Sequence, residues 1–91
     1  MPLDSRVEFK VQLQNQNRIQ VPRLVRWQYK LEPQQALKAT VRVEGSIIAQ
    51  NFLTRMRKDG RITIPRRAAV LLGLDSPQLN KCFLNVELAP T

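Results

Sequence analysis

Hydrophobic and polar positions alternate early in each half of the chain, over "VEFKVQLQ" from Val7 and over "IIAQNFLTRM" from Ile47. A period of two predicts half-buried strands there. Each run leads to a polar turn, "NQN" or "KDG", and then to a short apolar-alternating piece, "RIQV" or "RITI", read as a second strand. Asp59-Gly60 suits a tight type I′ hairpin turn, in which both central residues need positive φ. Pro22 and Pro65 lack an N–H, so they end the strand ladder, and they suit the first turn of a helix. The segments that follow, "RLVRWQYKL" and "RRAAVLLGL", predict helices of about two turns, too short to form without packing on the strands. Gly73 is expected to stop the second helix and Glu32-Pro33 the first. A last strand, "ATVRVE" or "CFLNVEL", completes each half, so the predicted order is β-β-α-β twice.

The two halves are similar residue by residue. Sliding the chain on itself by 43 positions pairs Phe9 with Phe52, Arg18 with Arg61, Ile19 with Ile62, Pro22 with Pro65 and Arg23 with Arg66. It also pairs Leu31 with Leu74, Gln35 with Gln78, Lys38 with Lys81, Val43 with Val86 and Glu44 with Glu87, with no gap. Asn17 falls on Gly60, the two residue types that best tolerate positive φ. The chain therefore reads as one domain over residues 1–91 with internal repeats at 7–44 and 47–88, joined through Gly45-Ser46. One such unit leaves open sheet edges and an incomplete core. The expectation is a mostly β fold with two short helices, in which two units close six strands into a pseudo-two-fold barrel without edges. Since the symmetric partner lies in the same chain, a monomer is expected.

Composition narrows the class. With 91 residues and a 43% hydrophobic content, the chain supports one small core. No window approaches the length of a membrane span, and "MPLDSRVEFK" has no apolar leader core, so no membrane is expected and the expected location is cytoplasmic. A single cysteine, Cys82, and no histidine argue against a disulfide framework and a metal site; Cys82 reads as a small buried hydrophobe in a strand. Without histidine, a glycine-rich phosphate loop or an asymmetric pair of acids, neither catalysis nor a cofactor is expected.

Charge points to a partner. The net charge is +8, which favours a polyanion. Arg55, Arg57, Lys58, Arg61, Arg66 and Arg67 lie within thirteen residues that contain one acid, Asp59. Arginine forks suit phosphate oxygens. The first half has Arg18, Arg23, Arg26 and Lys30, a weaker second patch. Contacts of this kind bind DNA, or RNA, through the backbone with little sequence discrimination. Arg55, Arg57, Lys58 and Arg67 have no cationic counterpart in the first half, so the expected patch is lopsided. Trp27 and Tyr29, two apart on a short helix, point to different faces. One is expected in the core and the other at a barrel end, with stacking on a nucleobase as the alternative. The polar run "QLQNQN" is expected to face outward on the first hairpin.

The phrase "GRITIPRRAAVLLGL" resembles the signature of the SpoVT/AbrB family, in which Gly-Arg-hydrophobic-x-Ile-Pro leads into a short helix ending in Leu-Gly-Leu. The first half is similar in part, with Asn17 and Lys30 at the two glycine positions. Members are usually single-copy chains that dimerise by swapping hairpins, and many are DNA-binding transcriptional regulators or antitoxins. A fused double copy resembles the RIFT-type barrels of the cradle-loop group. The resemblance implies a nucleic-acid-binding barrel, a transcriptional regulator or chromatin-associated protein. The alternatives are an interaction barrel that meets an acidic protein, and then a barrel for a small ligand such as a flavin or nucleotide. Where DNA-binding relatives carry basic residues, this chain has Ala69 and Val70 in one half and Val11 and Gln12 in the other. General nucleic-acid binding is therefore implied more than sequence-specific reading.

Overall fold

The computed structural model describes residues 6–74 and 82–91. Its elements are β1 (Val7–Gln12), β2 (Arg18–Gln20), α1 (Arg23–Gln28), β3 (Ala36–Val43), β4 (Ala49–Arg55), β5 (Arg61–Thr63), α2 (Arg66–Leu72) and β6 (Phe83–Pro90). The fold is mostly β with two short helices, and all paired strands run antiparallel.

The strands form two hydrogen-bonded sheets. One has four strands in the order β1-β6-β3-β4, and the other pairs β2 with β5. The six strands thus do not run as one closed ring of hydrogen bonds; the larger sheet is open, with β1 and β4 at its edges. The physical cause lies in the turns. Gln16 and Asn17 take φ values of 62° and 56°, and Gly60 takes 82°, so the chain swings sharply between β1 and β2 and between β4 and β5. An isolated bridge between Gln14 and Arg18 is what remains of the first hairpin ladder. Pro22 and Pro65 then end β2 and β5 after three residues each.

Register relates the halves. Ile19 lies opposite Ile62, 43 positions on, and β2 maps onto β5 residue for residue at that offset. The last strand departs from the gapless match, since β3 maps onto β6 with an offset of 47, Ala36 to Phe83 and Val43 to Pro90. Thr40 accordingly lies opposite Glu87. The expected pairs Val43/Val86 and Glu44/Glu87 are therefore displaced by four. An even slip leaves every side chain on its own face, which is why the alternation conceals it. The extra residues fall between α2 and β6, in the stretch 75–81 outside the described residues, together with the expected pairs at Gln78 and Lys81.

The core lies between the two sheets. Leu37, Ala39 and Val41 of β3 and Leu84, Val86 and Leu88 of β6 pack with Ile19, Val21, Ile62 and Ile64 in a single cluster. The valine, leucine and isoleucine side chains among them contribute about 1.5–3 kcal/mol each when fully buried. Among the described residues no polar or charged one is buried. Cys82 precedes β6 and is half-buried, so it is not the core strand residue expected from the sequence. Burial still pushes its thiol above the ordinary value of 9.0.

Both helices are shorter than their sequence segments. Each proline occupies the N-cap instead of the first turn, with φ near −57° for the pair (−56° and −58°). Gly73 caps α2 in the left-handed conformation at φ 78°, and the Leu74 N–H donates to the Ala69 carbonyl at 2.8 Å. The first helix ends the same way, at Lys30 with φ 51°, and the Leu31 N–H donates to the Arg26 carbonyl at 2.9 Å. This left-handed turn, ahead of Glu32-Pro33, is what stops α1.

Candidate nucleic-acid interface

Ile19 and Ile62 turn inward from the β2–β5 ladder, so Arg18, Gln20, Arg61 and Thr63 occupy its other face. Arg18 and Arg61 meet across a surface cleft of about 530 Å³ that Gln14, Asn15 and Gln16 also line. The Gln20 amide bridges the ladder to the second turn. Its Nε2 donates to the Asp59 carbonyl at 2.7 Å, while its Oε1 accepts from Arg61 Nε at 3.4 Å. Asp59 is the one acid in the ladder and its two turns (residues 14–20 and 57–63), 3.8 Å from Arg61 Nε.

The second turn is not type I′. Only Gly60 takes positive φ, its N–H donates to the Arg57 carbonyl at 2.9 Å, and the Arg57 N–H donates to the Arg61 carbonyl at 2.9 Å. That is a three-residue connection with a left-handed glycine. Asp59 secures it by accepting the Arg61 N–H at 3.0 Å through Oδ1. Arg57 and Lys58 are left exposed at its tip.

Antiparallel pairing of β2 with β5 brings each turn to the start of the other half's helix. The Val21 N–H donates to the Gly60 carbonyl at 2.9 Å, and the Ile64 N–H donates to the Asn17 carbonyl at 2.8 Å. Arg57, Lys58 and Arg61 therefore join Arg23 and Arg26 at one end of the ladder. Arg66 and Arg67 join Arg18 and the neutral turn Asn15–Asn17 at the other. Arg55 belongs to neither group, because it lies on β4 with Nη1 donating to the Gln34 carbonyl at 2.9 Å. The cationic run that is continuous in sequence is thus divided among three places, with Arg57 and Lys58 at one end of the ladder, Arg67 at the other and Arg55 on β4.

Arg26 is held in an unusual way. Its guanidinium lies over Gly60 so closely that a Cβ there would sit 2.5 Å from Cζ. At the related positions, 43 residues on and back, stand Ala69 and Asn17. A large side chain faces glycine at one end, and a small one accompanies asparagine at the other. The Nε atoms of Arg18 and Arg26 are buried without a partner among the described residues.

The acids of the larger sheet lie elsewhere. Glu8 and Glu87 pair across β1 and β6 on the face turned away from the core. Glu87 contacts Arg6 at 3.2 Å, and Glu44 contacts Lys10 at 2.5 Å. Trp27 is 79% exposed and Tyr29 is half-buried against the core, so neither aromatic is a core residue. Of "QLQNQN", Leu13 turns inward, Gln14 and Asn17 are half-buried, and Gln12, Asn15 and Gln16 face outward. Among the described residues no group of three His, Cys, Asp or Glu side chains is placed to hold a metal, and no helix is long and apolar enough to cross a membrane.

No family model matches the chain, and no curated protein matches it significantly. The chain is similar in structure to PHS018 from Pyrococcus horikoshii, known from a solution structure. The likeness spans 99% of this chain and 94% of that one, with a TM-score of 0.74 and 17% sequence identity. The two share a fold.

Sequence reading missed the exchange of turns and helix starts, although one signal was present. The pairs Arg26/Gly60 and Ala69/Asn17 are reciprocal in size, as residues in contact across two related halves would be.

Proposed function

We propose that this protein is a non-enzymatic nucleic-acid-binding barrel of the SpoVT/AbrB-like kind, acting as a monomeric transcriptional regulator or chromatin-associated protein. Its two sheets are the halves of a pseudo-two-fold, six-stranded barrel. Support for that arrangement comes from the register, which sets Ile19 against Ile62 and Thr40 against Glu87. The binding surface is the β2–β5 ladder with its turns and the adjoining helix starts. The observation that carries this reading is the gathering of cations about the ladder. Eight of the ten candidate cations, all but Arg55 and Lys30, lie at the two ends of a ladder whose strands and turns contain a single acid, Asp59. Arg18, Arg23, Arg26, Arg57, Lys58, Arg61, Arg66 and Arg67 meet phosphates of DNA or RNA there.

Fluorescence anisotropy against a labelled DNA at about 50 and 200 mM salt tests the reading. Eight phosphate contacts predict a loss of affinity of about 20,000-fold over that interval. Replacing Arg57, Lys58 and Arg61 together by Glu should abolish binding, with the far-UV circular dichroism unchanged. No binding to DNA or RNA at the lower salt overturns it. A second reading, an acidic protein partner, draws on Leu24, Val70 and Leu71, which are exposed on the helices beside the cations. An acidic protein retained after nuclease treatment would favour it.

A further inference from the structure

Trp27 is the most exposed aromatic of the described residues, and it is the chain's single tryptophan. It stands in the last turn of α1, where packing does not require it, since α1 contributes no buried residue. Among the described residues no cation or ring stacks on its indole; the cation over a ring is Lys10 above Phe83. Its surroundings are basic. Arg23 precedes it by one helical turn and shares its face, and Lys30 follows three residues later. The start of α1 is hydrogen-bonded to the second turn through Val21 and Gly60, and Arg26 from the same helix packs on Gly60. The turn that bears Arg57 and Lys58 therefore adjoins the helix that bears Trp27.

We propose that Trp27 is a stacking platform for an unpaired base, so that the protein takes single-stranded nucleic acid in preference to duplex. The inference rests on the nucleic-acid reading above and adds the strandedness of the ligand. An exposed indole with Arg23 one helical turn before it and Lys30 three residues on along the chain binds a flexible polyanion that carries accessible π faces, and single strands offer both. In a duplex the base faces are closed by their neighbours, so the indole gains nothing there and only the phosphate contacts remain. Charge complementarity selects this occupant over an apolar protein surface, which Arg23 and Lys30 would oppose. The related position in the second half is Val70, so the chain offers one stacking site and not two.

The indole reports on its own occupancy. Tryptophan emission is followed while the protein is titrated at about 50 mM salt with an oligothymidine of about 12 nucleotides, and separately with a duplex of equal length. The single strand is expected to quench the emission saturably and the duplex is not. Trp27→Ala should weaken single-strand binding by at least about tenfold and duplex binding by less than about twofold, and Trp27→Phe should recover most of the loss. Saturable binding of the single strand with unchanged emission would overturn the proposal while leaving nucleic-acid binding in place. So would an equal loss for both ligands in Trp27→Ala. If neither ligand binds, both readings fall together. The quenching measurement uses the unaltered protein and does not depend on how the variants fold.

Discussion

At the residue scale, the contact between Arg26 and Gly60 ties the cationic surface to the fold. Gly60 meets two demands, a φ of 82° and the absence of a Cβ beneath the Arg26 guanidinium. An L-residue in the left-handed region costs about 1–2 kcal/mol. Gly60→Ala should therefore lower the melting temperature by about 5–10 °C in a domain of this size. The guanidinium must also move aside, at small cost because it ends a flexible side chain, so combining Gly60→Ala with Arg26→Ala should cost slightly less than the sum of the two single changes. Strict additivity in thermal melts would mean that the guanidinium does not rest on this turn. The glycine's φ was legible from the sequence, because Asp-Gly after a strand predicts a turn. The arginine above it left only the reciprocal sizes of Arg26/Gly60 and Ala69/Asn17 as a sign, since the two residues are brought together by pairing across the halves.

The helix ends carry the main lesson at the element scale. Both helices close with the same pattern, a left-handed residue followed by a buried leucine whose N–H reaches back to the last turn. Gly73 takes that conformation at little cost, whereas Lys30 takes it with a side chain attached. Lys30→Gly should therefore raise stability by about 1 kcal/mol, read as a higher urea midpoint with an unchanged m-value. A lower midpoint would show that the Lys30 side chain contributes contacts that outweigh its strain. Glu32-Pro33 was the expected stop because Pro disfavours helix before it. The left-handed turn acts three residues sooner, and the equivalence of Lys30 with Gly73 already pointed to it.

For the whole molecule, the decisive feature is the pairing of β2 with β5. It carries Arg66 and Arg67 away from Arg57 and Lys58 and toward the neutral first turn, which makes both ends of the ladder cationic. If one polyanion spans the ladder, the two pairs contribute alike. Arg57→Gln with Lys58→Gln, and Arg66→Gln with Arg67→Gln, should each lower the slope of log affinity against log salt by about two for duplex DNA. An unaffected slope in the second double variant would confine binding to the end that holds Arg57 and Lys58.

Whatever depends on local backbone physics could be read from the order of residues. The alternating runs are strands, the prolines end them, and Asn17, Gly60 and Gly73 take positive φ. These follow from sterics and a missing N–H, which a residue carries wherever it is placed. The four-residue slip of the last strand, the separation into two sheets, and the sharing of cations between the ladder's ends emerge with the folded chain. Each of those is set by long-range pairing. A slip by an even number keeps the same faces buried, and a ladder between residues 43 apart leaves no local trace. The charge was always visible; its arrangement was made by the fold.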